Sequence, residues 1–164
     1  MGKTIKQEIE RKFKVKRLPY DIKNYNSAKI EQSYLNGEFD RNTIRVRKYE
    51  DGRCYLEIKG PGTLSRQEIG FKITIEEYEQ LKTSNEIKKT RYKIPSLTTP
   101  GMIIFVDVFE GELSGLILAE VEVVEEDKKN IIIDYVPDSF LGREVTDDLR
   151  YTNHKLSFSQ KIPN

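Results

Sequence analysis

Short segments in which charged and apolar side chains alternate recur along most of this 164-residue chain. In an extended strand every second side chain shares a face, so each segment predicts a β-strand with one charged and one apolar face. Eight segments fit the pattern, with turn signals between them. They are residues 5–15, 30–36, 42–49, 54–60, 66–75, 87–94, 102–110 and 117–125. The sequence therefore predicts a mainly β fold with some helix, of the α+β class.

Turn and helix signals complete the expected organisation. Asp51-Gly52 predicts a tight hairpin between the third and fourth strands, because glycine adopts positive φ without strain. Thr74 followed by early glutamates is typical of a helix start. Helices are predicted over 74–83, 125–135 and 147–160, with a short one near 20–26. No repeat or linker divides the chain, so residues 1–164 are predicted to form one domain.

The overall charge limits the partners that this chain can have. Its 28 basic and 27 acidic residues give a net charge of +1, which argues against a nucleic-acid or membrane-surface partner. A single cysteine, Cys54, excludes an intramolecular disulfide, and no apolar run is long enough to span a bilayer. We therefore expect a cytoplasmic protein. The oligomeric state stays open, a homodimer included, and the only histidine, His154, is expected on a helix surface.

The charged strand faces are segregated by sign. Like charges stand two positions apart, hence on one face, although adjacent like charges repel. These pairs are Glu8/Glu10, Glu120/Glu122, Arg45/Arg47 and Lys89/Arg91. Two interpretations follow. The charged faces are the solvent side of an antiparallel sheet, or eight strands close into a barrel with the charged faces inward and helices over the apolar outside.

An inward-facing arrangement would have a definite chemistry. Clustered carboxylates supply the oxygen ligands that Mg²⁺ and Mn²⁺ prefer. Arginine and lysine bind phosphate oxygens, arginine as a bidentate fork and lysine as a point charge. A tunnel that carries both groups matches a complex of a divalent metal with a polyphosphate.

The motifs also resemble a known family. "EIERKF" matches the Glu-x-Glu-x-Lys signature of the CYTH superfamily, the triphosphate tunnel metalloenzymes. The segments "IRVR", "LEIKG", "SRQE", "KKTRYKI", "VDVFEGELSGLILAEVEV", "FLGREVTDD" and "RYTNHKL" follow in the order and spacing of short bacterial members. The similarity extends from about residue 5 to 157. It implies a closed eight-stranded antiparallel barrel that forms a charged tunnel, with a C-terminal helix near one mouth.

The resemblance also implies roles for individual residues. The expected metal ligands, for one or two Mg²⁺ or Mn²⁺ ions, are Glu8, Glu10, Glu68, Glu120 and Glu122. The expected phosphate ligands are Lys12, Tyr34, Arg45, Arg47, Lys59, Arg66 and Arg91. Lys89 and Arg91 correspond to residues that act in catalysis, Lys89 near the attacking water or the scissile bond.

One position departs from the family pattern. Many members carry a further acidic residue two positions after the one that matches Glu68, whereas this chain has Gly70. Glycine offers no side-chain ligand, so a two-metal mechanism is less well supported here. Lys72, on the same predicted face, is expected to add a cation where the family is usually more acidic.

The expected activity is metal-dependent hydrolysis of a triphosphate, inorganic triphosphate first. Three alternatives stay open. A cyclase of the class IV adenylyl type would use the same tunnel for an attack on the α-phosphate. A nucleoside or thiamine triphosphatase is the second; no distinctive nucleoside-recognition motif is present, and thiamine would need an aromatic contact, for which Tyr34, Tyr55 and Phe39 are the candidates. A polyphosphate-binding module would bind without turnover.

Overall fold

A closed antiparallel β-barrel dominates the structure, a computed structural model that describes residues 2–123 and 129–164. Its eight strands are β1 (Lys3–Val15), β2 (Ser27–Tyr34), β3 (Thr43–Tyr49), β4 (Cys54–Lys59), β5 (Ser65–Ile73), β6 (Glu86–Pro95), β7 (Ile103–Phe109) and β8 (Ile117–Val123). They follow the order β5-β4-β3-β2-β6-β7-β8-β1, and pairing of β1 with β5 closes the barrel. All eight predicted strands are confirmed.

A ninth strand, β9 (Leu141–Glu144), pairs with the end of β1 through an irregular register. This strand is not among the predicted ones, because four residues are too few to establish an alternation. β9 extends the sheet beside β1 without joining the ring.

The helices are shorter than predicted. They are α1 (Ile75–Leu81), α2 (Lys129–Ile133) and α3 (Asn153–Ser159), with 3₁₀ turns at Ile22–Asn24, Gly111–Leu113 and Leu149–Tyr151. Residues 124–125 of the predicted eighth strand and 125–128 of the predicted second helix lie outside the described residues. The predicted helix over 147–160 is divided, because the side chain of Thr152 caps α3 after the 3₁₀ turn has ended. No described helix is long and apolar enough to cross a membrane.

Two local predictions are confirmed in detail. Gly52 has a φ of 87° in the hairpin between β3 and β4, a backbone conformation that glycine adopts without strain. Thr74 and Glu77 form a capping box at the start of α1: the Thr74 hydroxyl accepts from the Glu77 amide, and the Glu77 carboxylate accepts from the Thr74 amide. These contacts satisfy backbone donors that a helix start leaves free.

The apolar faces of the strands point outward and are covered. Ile9, Val106 and Val121 pack with Ile132 of α2 in the largest core cluster. On another side Tyr78 of α1 packs on Val46 and Cys54. A third cluster joins Leu156 of α3 to residues of β2, β6, β7 and β8. The first two clusters lie between the barrel and its helices. The strand residues of the third share faces with inward-facing charged residues, since Phe109 lies opposite Lys89 and Leu118 opposite Asp107, so this cluster fills one end of the barrel. The rest of the interior is left to the charged faces, as the second interpretation predicts.

Candidate metal and phosphate site

A cavity of about 490 Å³ lies inside the barrel. Seven of the eight barrel strands contribute inward-facing charged or hydroxyl side chains to its wall. From β1 to β8 these are Lys6, Glu8, Glu10, Lys12, Tyr34, Thr43, Arg45, Arg47, Glu57, Lys59, Arg66, Glu68, Arg91, Glu120 and Glu122. Twelve of the thirteen predicted site residues are in this set. Lys89 is the exception.

The strand register explains why these side chains meet. Glu10 lies opposite Glu122, and Lys12 opposite Glu120, where β1 pairs with β8. On the other edge of β1, Glu8 lies opposite Arg66 of β5. Directly opposite residues share a face and have adjacent Cβ atoms, so the three strands converge on one part of the cavity.

Three carboxylates form a cluster of metal-binding dimensions. Glu8, Glu10 and Glu122 each offer an oxygen, and these oxygens lie within 4.8 Å of one another. Glu8 and Glu10 are buried, so their negative charges are largely removed from water. Oxygen atoms from several carboxylates are the donors that a hard divalent cation selects. The donor set therefore fits a hard divalent cation.

Each carboxylate is also paired with basic side chains. Lys59 Nζ lies 2.7 and 2.6 Å from the two oxygens of Glu8, and Arg66 Nη2 lies 3.5 Å from both Glu8 and Glu10. Burial alone would raise the pKa of Glu8, but Lys59 and Arg66 outweigh it and lower the pKa to about 2. Glu8 is therefore ionised at neutral pH, as a metal ligand must be.

Glu10 has the opposite electrostatic environment. Burial raises its pKa, and the neighbouring carboxylates of Glu120 and Glu8 raise it further. Its cations are more distant than Lys59 is from Glu8, since Arg66 Nη2 lies 3.5 Å and Lys12 Nζ 4.0 Å from the Glu10 carboxylate. Added positive charge would favour the ionised form of this carboxyl group.

The basic residues on the other side of the cavity are held by Glu57 and Glu68. Arg45 Nε donates to Glu57 at 2.7 Å, and Lys59 Nζ lies 3.2 Å from Glu68. Burial would raise the pKa of Glu57, but Arg45 and Arg47 hold it well below its usual range. The buried Nε of Arg47 donates no hydrogen bond within the described part of the chain. This guanidinium therefore retains donor capacity towards the cavity.

Arg91 and Lys89 share one carboxylate. Asp107 on β7 accepts from Arg91 Nε at 2.6 Å and from Lys89 Nζ at 2.6 Å, and Arg91 also contacts Glu120. Lys89 is fully buried over the ring of Phe109 and is absent from the cavity lining. Burial lowers the pKa of Lys89 to about 7, against the opposing effect of Asp107. The structure thus places Lys89 behind the wall that Arg91 forms.

The prediction for His154 is wrong. This residue is only 6% exposed and lines the cavity, packed between the rings of Tyr34 and Phe158. The helical spacing of 147–160 concealed this position, because α3 begins only at Asn153 and turns its first residues inward. Lys72 is exposed and is not among the lining residues, so the predicted tunnel cation on β5 is also wrong.

Three residues of the site were absent from the predicted set. Glu57 and Asp107 form ion pairs with arginines that are predicted to bind phosphate, and Lys6 contacts the acidic cluster. Strand parity could have found all three, because Lys6 shares a face with Glu8 and Glu57 with Lys59. Parity assigns a face but gives neither depth nor partner, so their roles needed the structure.

Comparisons with known proteins agree with this geometry. The model of the CYTH domain matches residues 6–132. An inorganic triphosphatase of Nitrosomonas europaea is 36% identical over 157 residues, covering 93% of this chain and 97% of the relative. One of Acetivibrio thermocellus is 36% identical over 161 residues, covering 95% and 94%.

The fold agrees as well. The crystal structure of an inorganic triphosphatase superposes with a TM-score of 0.65 at 30% identity, covering 96% of this chain and 97% of the other. Both the sequence matches and this superposition extend over nearly the whole length of each protein. The chain belongs to the CYTH domain family.

Proposed function

We propose that this protein is a metal-dependent triphosphatase that hydrolyses inorganic triphosphate to pyrophosphate and phosphate. The observation that carries the proposal is the juxtaposition of three carboxylates within 4.8 Å and a wall of arginine and lysine in one cavity. Phosphate oxygens and a divalent cation are the ligands that this pair of surfaces would recognise together. Two relatives at 36% identity are named inorganic triphosphatases, which supports the same substrate class.

In this proposal Glu8, Glu10 and Glu122 hold Mg²⁺ or Mn²⁺, with Glu68 and Glu120 at the edge of the same site. The all-carboxylate donor set, largely buried and preformed across β1, β5 and β8, is the fit that supports it. When bound, the divalent ion supplies Lewis-acid stabilisation of charge on the phosphate oxygens.

The phosphate chain is proposed to bind Lys12, Arg45, Arg47, Lys59, Arg66 and Arg91, with Tyr34 near one end. Several of these cations already contact carboxylates, so substrate binding exchanges one anionic partner for another. Lys12, for example, lies 3.3 Å from Glu120, and Arg45 lies 2.7 Å from Glu57. Because the pairs preset the side-chain directions, less conformational entropy is lost when phosphate binds.

The proposed reaction is attack of water on the terminal phosphorus, in line with the anhydride bond that breaks. Pyrophosphate leaves, and the charge that develops on it is stabilised by the arginines and lysines of the wall. Asp107 holds Arg91 from behind, and Lys89 holds Asp107. We therefore assign to Lys89 a positioning role that it exerts through Asp107 and Arg91.

A turnover panel tests the proposal. The purified chain is given Mg²⁺ or Mn²⁺ with inorganic triphosphate, ATP or thiamine triphosphate, and both phosphate and cyclic AMP are measured. We expect phosphate release from inorganic triphosphate to exceed the other rates, and Glu8→Gln to abolish it without unfolding the protein. Cyclic AMP with pyrophosphate from ATP would instead indicate a cyclase. Stabilisation by triphosphate without phosphate release would indicate a binding module.

We extend the proposal to partners and compartment. The near-balance of charge argues for a small-molecule substrate, not nucleic acid or a membrane surface, and the single buried Cys54 fits the reducing cytoplasm. We also propose that residues 1–164 form one functional domain. Residues beyond the family match, Val145 and His154 among them, line the same cavity.

A further inference from the structure

Lys6 brings a cation of the chain itself to the acidic cluster. It precedes Glu8 by two positions on β1 and therefore shares its inward face, opposite Glu68 of β5. Its Nζ lies 3.2 Å from Oε1 of Glu122 and 3.3 Å from Oε1 of Glu68. One ammonium group thus bridges carboxylates of two strands that flank β1.

The bridge distinguishes Glu122 from the other carboxylates of the cluster. Glu8 is contacted by Lys59 and Arg66, and Glu68 is contacted by Lys59 as well as by Lys6. Within the described residues, Lys6 is the one basic group within 4.0 Å of the Glu122 carboxylate. Since a carboxylate has two oxygens, Glu122 can face Lys6 with one and a metal ion with the other.

Gly70 limits the number of carboxylates that β5 brings to the acidic cluster. It is the next inward position after Glu68 on β5 and lies opposite Thr4. A Cβ atom there would meet Oγ1 of Thr4 at 2.8 Å. Beyond Glu68, β5 therefore supplies no further oxygen ligand at that position. A second divalent ion would depend on Glu68 and Glu122, the two carboxylates that Lys6 already bridges.

We propose that Lys6 takes the place of a second divalent ion, so that the chain binds a single ion at Glu8, Glu10 and Glu122. This inference rests on the proposed function, because it concerns the same metal site. The ammonium neutralises part of the charge of the Glu68–Glu122 side, and it does so permanently. Lysine suits this position as a compact point charge on a flexible stem with three donors.

Removal of Lys6 should increase the affinity of the acidic cluster for a divalent cation. Removing Lys6 leaves Glu68 and Glu122 with one positive charge fewer, so the negative potential of the cluster increases. A divalent cation should then bind more tightly at the first site, and a second ion should find the Glu68–Glu122 side without its bridging ammonium group. Lys6 acts as a positioning residue in this account, since it sets the occupancy of the site without reacting.

The test is a titration with Mn²⁺ alone, followed by calorimetry and by electron paramagnetic resonance of the free ion. It compares the wild-type chain with Lys6→Gln and with Lys72→Gln, whose lysine is exposed and outside the cavity lining. We expect one Mn²⁺ per chain for wild type and Lys72→Gln. For Lys6→Gln we expect a second Mn²⁺, and a dissociation constant for the first that is lower by roughly tenfold.

Two results would overturn the role of Lys6. One is a wild-type chain that already binds two Mn²⁺ ions, and the other is an identical titration for wild type and Lys6→Gln. Lys6→Arg, which keeps the positive charge, should bind like wild type and covers the case in which Lys6→Gln folds poorly. Hydrolysis of triphosphate by the wild type is measured separately. Its absence would refute the proposed function, whereas unchanged titrations alongside normal hydrolysis would refute only the role of Lys6.

Discussion

Nζ of Lys89 lies 2.6 Å from Oδ2 of Asp107, and both side chains are almost completely removed from solvent. Asp107 also binds Arg91, so this one carboxylate holds a buried lysine and an arginine of the cavity wall. Burial would raise the pKa of Asp107, but Arg91 and Lys89 outweigh it and keep the pKa low. Asp107 is thus an ionised support under the predicted catalytic pair.

Asp107→Asn should destabilise the fold and impair turnover together. It removes the negative charge that compensates the buried guanidinium of Arg91 and the protonated form of Lys89, and breaking such a buried pair typically costs about 3–5 kcal/mol. Urea unfolding measures the loss, and triphosphate hydrolysis measures the effect on Arg91. Asp51→Asn is the matched control, because Asp51 is exposed and pairs with Arg53 at the surface. A change in unfolding free energy below about 1 kcal/mol would contradict the role of Asp107.

The metal-free protein should lose stability in acid, because protonation of Glu8 removes its ion pairs. Its folded-state pKa of about 2 lies below the ordinary 4.5. The stabilisation is therefore present above pH 4.5 and is lost as pH falls through 2. Glu8→Gln should cost roughly 3 kcal/mol at pH 7, and the difference from wild type should vanish near pH 2. Unfolding curves in a chelating buffer check this, with exposed Glu112→Gln as control. A difference that stays constant with pH would refute the assignment.

Arg45→Ala should raise KM for triphosphate by about 10- to 100-fold, since a hydrogen bond to a charged group contributes roughly 1.5–3 kcal/mol. The fold should be less affected, because Glu57 keeps a second partner in Arg47 at 3.6 Å. Steady-state kinetics and urea unfolding separate the two effects. Arg53→Ala, at an exposed arginine outside the cavity lining, should change neither. An unaltered KM would exclude Arg45 as a phosphate ligand.

His154 offers a test of how a buried ring stabilises the C-terminal segment. Its Nε2 makes no hydrogen bond within the described residues, and its ring lies 5.1 Å from that of Tyr34 and 5.3 Å from that of Phe158. His154→Phe should keep the stability within about 1 kcal/mol, because it retains the ring and removes an unpaired polar atom. His154→Ala should cost about 2 kcal/mol or more through the cavity that it leaves. Equal stabilities of the two variants in urea would contradict this account.

The barrel strands were predictable because, in each segment, charged and apolar residues alternate and so define the two faces of the strand. "TIRVRKY" and "CYLEIK" alternate without a break, and Asp51-Gly52 joins them, so β3 and β4 follow from local rules. β9 and the division of the last helix were not predictable. Four residues carry no period, and the capping of α3 by Thr152 competes with a helical spacing that continues through it.

The sequence predicts which strand face each site residue occupies, but it predicts less well how deeply that side chain is buried in the barrel. Parity alone places Glu8, Glu10 and Lys12 inside once the barrel is closed. It equally places Lys89 and Lys72 inside, yet Phe109 and Asp107 bury the first, and the second lies exposed on β5. Depth depends on which residues occupy the barrel at each level. That is a tertiary property, and neither strand alone specifies it.

The cavity lining, within the described residues, carries nine acidic and nine basic side chains. Its formal charge is therefore zero before any ligand enters. Proteins that attract anions through a one-signed surface lose affinity steeply as ionic strength rises, because added salt screens a long-range field. This barrel has no such excess, and its charges lie within a few ångströms of their partners. Recognition of triphosphate should accordingly tolerate salt well, with selectivity set inside the barrel and not by attraction from a distance.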